Sequence, residues 1–248
     1  MYEIGELLFG RMTGPLDIAA TAATILGALL LCAALFLIGR RNDVGWGLAV
    51  AALLLAGIAS VLPFPPMLLS SSAAIILFGA GAAIATAIGV GTAVYTLLLF
   101  RKLPLSAPMT RAVVLRAFRA SDVVAPVAVA VLYSLASLVS VAAIFTGLHA
   151  PLSKAPWLTF FVTGVLTGIV PAALVGLANR SRWAWFLFFV AAIAAVYGTV
   201  MSAQGSVLIF LYVVQAGLAI AGWQRWGSIP AAAVSSSSSS PTPVKPTF

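Results

Sequence analysis

The sequence predicts an all-α integral membrane protein, because its charges are confined to short gaps between long apolar stretches. Charged residues make up 7% of the 248 residues and hydrophobic residues 62%, whereas a soluble domain carries about 25% charge. Residues 183–224 contain no charged side chain, although a helix needs only about 20 apolar residues to cross a bilayer. These runs are apolar on every face, which excludes the alternating pattern of a transmembrane β-barrel.

Seven apolar segments follow one another along the chain, and each is interpreted as a transmembrane helix. The third segment is long for one helix and short for two helices with a turn, and we interpret it as one long or kinked helix. The seven predicted spans cover residues 17–39, 46–62, 67–99, 122–148, 157–178, 183–202 and 205–223.

Three further segments flank or connect these spans. Residues 1–16 are predicted to be an N-terminal external segment, and residues 100–121 a basic cytoplasmic loop. Residues 229–248 form a tail rich in serine and proline, with a run of serine at 235–240. This composition cannot bury an apolar core, so the tail is predicted to be disordered.

The distribution of lysine and arginine predicts the orientation of the chain. With a single third span, one side of the membrane receives eleven of the thirteen basic residues, and the other receives only Arg11 and Lys154. Cytoplasmic loops are enriched in lysine and arginine, so we expect a plasma-membrane protein with its N-terminus outside and its C-terminus in the cytoplasm. Two spans within the third segment would divide the basic residues ten against three.

The net charge of +8 does not indicate nucleic-acid binding, because the basic residues bracket the spans and are expected to contact lipid headgroups. No acidic or histidine residue lies at mid-depth of a span, so no metal site and no carboxylate-based proton relay is predicted. We find no Ser-His-Asp set, phosphate loop or nucleotide fingerprint, and therefore expect neither an enzyme nor a cofactor. The expected partners are the lipid bilayer and a small-molecule substrate; a homo-oligomer is possible.

An internal repeat is indicated by two pairs of similar segments. An asparagine with a tryptophan four positions later follows both the first and the fifth span, at 42–46 and 179–183, an offset of 137. The sequence Ala-Gly-Ala-Ala-Ile at 80–84 likewise resembles Ala-Gly-Leu-Ala-Ile at 216–220, an offset of 136. A chance match of common membrane residues is the alternative.

If the repeat is genuine, residues 17–99 and 157–226 are two parallel three-helix units joined by a linker helix at 122–148. Parallel repeats related by an axis along the membrane normal occur in secondary transporters, which bind substrate near the midplane between the halves. In the linker helix, Ser134, Ser137 and Ser140, together with Tyr133, suggest a stripe for close helix packing.

Three plus one plus three helices resemble the SWEET-like bundle, and the C-terminal part of the chain narrows the resemblance. Residues 180–226 begin the sixth span with Trp183 and Trp185, place Tyr212 in the seventh span and close on Gly-Trp-Gln-Arg-Trp at 222–226. This stretch is similar to the end of PnuC-type nicotinamide riboside transporters, whose last span typically ends in G-W-x-x-W after a helix that begins with tryptophans.

The resemblance extends weakly to Leu16-Asp17 and Gly45-Trp46 in the N-terminal half. The family often has Asp or Asn a few residues into the sixth span, whereas this chain has Phe-Leu-Phe-Phe at 186–189. The resemblance implies a transporter of a small neutral or weakly charged vitamin precursor.

Six residues are predicted to bind the substrate. The Gln215 amide offers two donors and an acceptor for an amide- or sugar-bearing solute, and Tyr212 lies one turn earlier on the same face. Tyr197 could join them from the sixth span. Trp46, Trp183 and Trp185 could stack on an aromatic ring. The alternatives are an interhelical hydrogen bond for Gln215 and interface anchoring for the tryptophans.

Two functions therefore remain open. The first is transport by facilitated diffusion, through rocking of the two halves, and the second is a non-transporting membrane scaffold or assembly subunit with the same bundle. A transporter requires polar groups that converge on a midplane cavity, whereas a scaffold requires only packed small residues. An intramembrane enzyme is a distant third.

Overall fold

A computed structural model of the chain describes residues 7–9, 14–61, 72–102, 121–155, 157–179, 181–201 and 205–227. Three of the predictions fall largely or wholly outside these residues: those for the N-terminal segment, the basic loop and the serine-rich tail.

The described residues form seven α-helices of at least 18 residues, together with a 3-10 helix at Leu152–Lys154. No strand occurs among them, as expected for an all-helical membrane protein, since only helices satisfy every backbone hydrogen bond locally within lipid. The third predicted span is one continuous helix. The helices are α1 Pro15–Gly39, α2 Val44–Val61, α3 Ser72–Lys102, α4 Ser121–Gly147, α5 Trp157–Ala178, α6 Ala184–Met201 and α7 Ser206–Gly227.

Several of these helices meet the requirements of a membrane span. By length and composition, four stretches among the described residues can cross a bilayer: Pro15–Gly39, Ser72–Leu98, Val124–Gly147 and Ser206–Trp226. Shorter apolar helices accompany them at Val44–Ala59, Gly164–Ala178 and Ala184–Val200. The chain is therefore a multi-pass membrane protein.

The helices close into a ring. Each helix packs against the next one along the chain, and α1 packs against α7. Helix α3 also contacts α5, so α4 lies on the outside of the ring, against both of them. The contacts α1–α7 and α3–α5 join the first three helices to the last three.

The turn between α1 and α2 is fixed by local hydrogen bonds. Arg41 adopts a left-handed conformation with φ 59°, and the Asn42 N–H donates to the Leu37 carbonyl over 2.8 Å, which is how many helices end. The Asn42 side-chain oxygen then accepts a hydrogen bond of 3.0 Å from the Val44 N–H, which caps the start of α2.

One end of the ring carries several arginines. Gly39, at the end of α1, faces Gly222 of α7 and Trp185 of α6. Arg40, Arg182 and Arg225 belong to the same helix ends and connections. We call this the arginine-rich end of the bundle.

The interface between α4 and α5 depends on two glycines. A Cβ atom added at Gly164 would lie 2.5 Å from the Ser134 Cα and 2.9 Å from the Ser137 Cβ. A Cβ atom at Gly168 would meet the Ala130 Cα and the Tyr133 Cβ at 2.9 Å. Glycines four residues apart allow this close approach of two helices. The predicted packing stripe of α4 is confirmed at Tyr133, Ser134 and Ser137, which face the two glycines.

Candidate functional site

We call helices α1–α3 and helices α5–α7 the two halves of the bundle. They meet at the arginine-rich end in a cluster of buried apolar residues that includes three tryptophans, Trp46, Trp185 and Trp226. The ring centroids of Trp185 and Trp226 are 5.6 Å apart, with planes at 79°, an edge-to-face geometry that aromatic pairs favour. The Trp226 indole N–H donates to the Ile38 carbonyl at 3.4 Å, so α7 is tied to α1. We call these residues the tryptophan cluster; they close this end of the interface.

Gly222 gives Trp185 its space within the tryptophan cluster. A Cβ atom at Gly222 would lie 2.5 Å from two ring carbons of Trp185, and the buried indole has no room to move away. We expect Gly222→Ala to lower the free energy of unfolding by about 1–3 kcal/mol through overpacking, measured by thermal unfolding in detergent. Gly217→Ala is the matched control on the same helix, since nothing lies within 4 Å of its added Cβ; equal stability of the two variants would contradict the prediction.

Several buried positions of α1 and α2 have buried counterparts 139 positions later, in α5 and α6. Six positions of the first half are buried, and so are their counterparts in the second half. Four pairs are identical in residue type, and one of them joins Trp46 to Trp185. The pairs are Ala34 and Ala173, Leu35 and Leu174, Ile38 and Leu177, Trp46 and Trp185, Ala49 and Phe188, and Ala52 and Ala191.

The backbone hydrogen bonds of the two turns recur at the same offset. The bond from the Asn42 N–H to the Leu37 carbonyl, 2.8 Å, matches one from Ser181 to Gly176, 2.9 Å. The bond from the Trp46 N–H to the Asp43 carbonyl, 3.1 Å, matches one from Trp185 to Arg182, 3.2 Å. Trp46 therefore shares its burial and its turn hydrogen bond with Trp185, whereas the sequence pattern at an offset of 137 matches it to Trp183.

Gln215 and Tyr212 lie together at the contact between α1 and α7. Gln215 is 5% exposed, and its Nε2 donates to the Ala28 carbonyl over 3.2 Å. Tyr212 packs against a small cluster formed by Ala28, Leu208 and Leu211. One amide hydrogen bond therefore crosses the boundary between the halves.

The other two predicted side chains lie apart from this pair. Tyr197 is 67% exposed on α6. Trp183 is 54% exposed and packs edge-on against Trp223, with ring centroids 5.2 Å apart. The structure therefore brings together Gln215 with Tyr212, and Trp46 with Trp185, but it does not bring all six predicted residues into one site.

A polar pair that the sequence did not predict joins the halves at the second contact, between α3 and α5. The Tyr95 hydroxyl donates to the Asn179 side-chain oxygen over 3.0 Å. Asn179 follows the last turn of α5, and Tyr95 is an exposed residue near the end of α3. Their separation of 84 positions leaves no local signal of this contact in the sequence.

The polar groups at the two contacts between the halves are neutral. Gln215, Asn179 and Tyr95 offer amide and hydroxyl donors and acceptors, which suit an uncharged polar solute. Within the part of the chain that the structure describes, no three His, Cys, Asp or Glu side chains come together to hold a metal ion.

The described residues define a multi-pass bundle of membrane helices in which the first three helices contact the last three. No family model matches the chain, and no curated protein matches its sequence. Among solved structures, the chain is similar to the crystal structure of the vitamin B3 transporter PnuC, with a TM-score of 0.51 and 15% sequence identity. The match covers 92% of this chain and 96% of that chain, which confirms the predicted resemblance for the fold.

Proposed function

We propose that this protein is a membrane transporter that carries a small neutral or weakly charged solute between two helical halves. The observation that carries the proposal is the fold similarity to the vitamin B3 transporter PnuC, which extends over nearly the whole of both chains. A vitamin B3 precursor such as nicotinamide riboside is therefore the first substrate to test.

The offset of 139 supports two parallel repeats, α1–α3 and α5–α7, joined by α4. If α1, α2 and α3 correspond to α5, α6 and α7, the contact between α1 and α7 corresponds to the contact between α5 and α3. Both contacts occur. Trp46 and Trp185 lie in one cluster at one end of the ring, as expected when an axis along the membrane normal relates the repeats. Rocking of these units about the shared interface, with no coupling ion, is the simplest mechanism.

The arginine-rich end is proposed to face the cytoplasm of a plasma-membrane protein. Arg40, Arg182 and Arg225 gather there, and basic residues favour the cytoplasmic side. In this orientation, the tryptophan cluster closes the cytoplasmic side of the interface between the halves.

A non-transporting scaffold is the second candidate, and one observation favours it. The Gln215 amide bonds to a carbonyl of α1, which is the packing role that a scaffold would require. A transporter would need Gln215 or the Tyr95–Asn179 pair to become available to solute as the halves move.

The test is uptake of labelled nicotinamide riboside into proteoliposomes. We expect saturable uptake by the native protein and about a five-fold loss of kcat/KM in Tyr95→Phe, since a neutral hydrogen bond contributes about 1 kcal/mol. Gln215→Leu is expected to reduce uptake to a similar or greater extent if its amide contacts the solute.

Thr86→Val is the matched control on α3, because the exposed Thr86 hydroxyl bonds only within its helix, to the Ala82 carbonyl over 2.8 Å. Uptake by this variant should equal that of the native protein. Absence of uptake of nicotinamide riboside by the native protein would remove the named substrate. Absence of uptake across a panel of neutral vitamins and nucleosides would favour the scaffold.

A further inference from the structure

Residues 7–9, which are helical, lie against the connection between α6 and α7. A Cβ atom added at Gly205 would lie closer to the Leu8 carbonyl and the Phe9 backbone nitrogen than carbon atoms can approach. The two backbones are therefore in direct contact. Gly205 is buried, whereas the next residue, Ser206, is exposed. The contact thus covers a glycine at one end of the bundle.

Gly205 is needed for this close approach rather than for the conformation of its own backbone. Its φ lies outside the left-handed region, so alanine can adopt the same conformation. The Gly205 carbonyl accepts a hydrogen bond of 3.1 Å from the Leu208 N–H, and alanine would keep this bond. A methyl group at position 205 would instead push the peptide between Leu8 and Phe9 away. The substitution Gly205→Ala therefore acts on the contact itself.

The contact lies at the end of the bundle opposite the arginine-rich end. Helix α6 begins beside Arg182 and ends at Met201, and α1 begins at Pro15 and ends beside Arg40. Residues 7–9 precede α1, whereas Gly205 lies between α6 and α7, so the contact links the beginning of the first half to the second half. In the proposed orientation this end faces outside the cell. We call residues 7–9 the outer strap.

The outer strap is held more weakly than the tryptophan cluster at the other end. Leu7 is 70% exposed, and Leu8 and Phe9 are 37% and 41% exposed, so the bundle buries little of their apolar surface. Trp46 and Trp185, by contrast, are 2% and 0% exposed. Segments with few buried apolar contacts open at a low cost in free energy. We therefore expect the outer end to open before the inner one.

We propose that the outer strap closes the outer end of the interface between the halves, and that its release from Gly205 admits solute from outside. The inference rests on the proposed transport function, to which it adds the side that opens first and the segment that holds it shut. Movement of the second half away from α1 separates Gly205 from Leu8, because the two residues belong to different parts of the bundle. The tryptophan cluster stays packed in this step and keeps the inner side closed.

The first test follows release of the strap without any solute. Leu8→Cys introduces a thiol, and its reaction with a membrane-impermeant maleimide is timed in proteoliposomes. The native protein, whose one cysteine is Cys32 within α1, gives the background. Adding Gly205→Ala should make labelling at least about five-fold faster, because overpacking weakens the closed contact. Gly198→Ala is the matched control near the same end, since nothing lies within 4 Å of its added Cβ, and it should leave the labelling rate unchanged.

The second test fixes the strap in place. Phe9→Cys and Ser206→Cys provide thiols on the two sides of the contact, and a bifunctional methanethiosulfonate reagent bridges them. Bridging should abolish uptake of labelled nicotinamide riboside, and dithiothreitol should restore it. The same reagent should leave uptake by each single variant unchanged.

Two results would overturn the proposal. One is an equal labelling rate with and without Gly205→Ala, because the strap would then not close on Gly205. The other is uptake that continues after bridging, because release of the strap would then not admit solute; this result also decides the matter should Gly205→Ala fail to fold. Absence of uptake by the native protein would refute the named substrate instead, and the labelling rates would still show whether the strap closes on Gly205.

Discussion

Replacing Gly164 by leucine is expected to be the most destabilising single change in the bundle. The added side chain would meet the backbone of α4 at Ser134, where a Cβ alone would lie 2.5 Å from the Cα. A backbone atom cannot turn aside as a flexible side chain can, so α4 and α5 must separate. Overpacking typically costs about 1–3 kcal/mol and occasionally more, and we expect a loss of about 3 kcal/mol or more in the free energy of unfolding.

Gly198→Leu is the control for this prediction. Gly198 is an exposed glycine of α6, and nothing lies within 4 Å of a Cβ added there. Its stability should stay within about 0.5 kcal/mol of the native protein, as for most exposed substitutions. Thermal unfolding followed by circular dichroism in one detergent compares the two variants, and equal melting temperatures would refute the proposed helix contact.

Truncation of Trp185 to alanine is expected to have the second-largest effect. Trp185 is fully buried, with 0% of its surface exposed, and it contacts Trp226, Phe188 and the surface of Gly222. Removal of a buried tryptophan leaves a cavity and typically costs about 3–5 kcal/mol. Because the residue joins α6 to α7 and α1, we expect the loss to appear as a lower unfolding temperature of the whole bundle.

Trp183→Ala provides the comparison, since Trp183 is two residues away and more than half exposed. Its edge contacts with Phe186 and Trp223 are expected to contribute about 1 kcal/mol. If Trp183→Ala were as unstable as Trp185→Ala, burial would not determine how much stability each tryptophan contributes. The comparison also separates an anchor at the membrane surface from a core residue.

Several of the helix boundaries could be predicted because charged residues mark them. Arg40, Arg41 and Asp43 interrupt the first apolar run, and the chain turns there; Arg180 and Arg182 interrupt the fifth. A charged side chain within lipid is costly, so the charges mark these helix ends. The boundaries between α2 and α3 and between α6 and α7 lie within uncharged runs, so charge does not mark them. The third span could be predicted as a single helix only from the balance of basic residues, since its glycines equally suggest a bend.

The environment of each tryptophan could not be predicted from spacing alone. Asn42 and Asn179 stand four positions before a tryptophan, but they have different roles. Asn42 caps α2 through the Val44 N–H, whereas Asn179 accepts a hydrogen bond from Tyr95 of another helix. The sequence pattern therefore matched a buried tryptophan, Trp46, to an exposed one, Trp183.

The candidate site was only partly predictable for a related reason. Gln215 and Tyr212 share a helix face, and their proximity follows from helical spacing. Tyr95 and Asn179 come together only because α3 contacts α5, which depends on how the two halves associate. Contacts of that kind are decided by the packing of whole helices rather than by local sequence.

The contact between α1 and α7 has a consequence for biosynthesis. The first helix leaves the ribosome long before the last one. The Ala28 and Ile38 carbonyls of α1 can therefore accept their hydrogen bonds from Gln215 and Trp226 only after α7 has been synthesised. The newly inserted chain must therefore hold an incomplete α1 surface in the bilayer until translation is nearly finished. Loss of the C-terminal helix would leave that surface of α1 uncovered in an otherwise complete bundle.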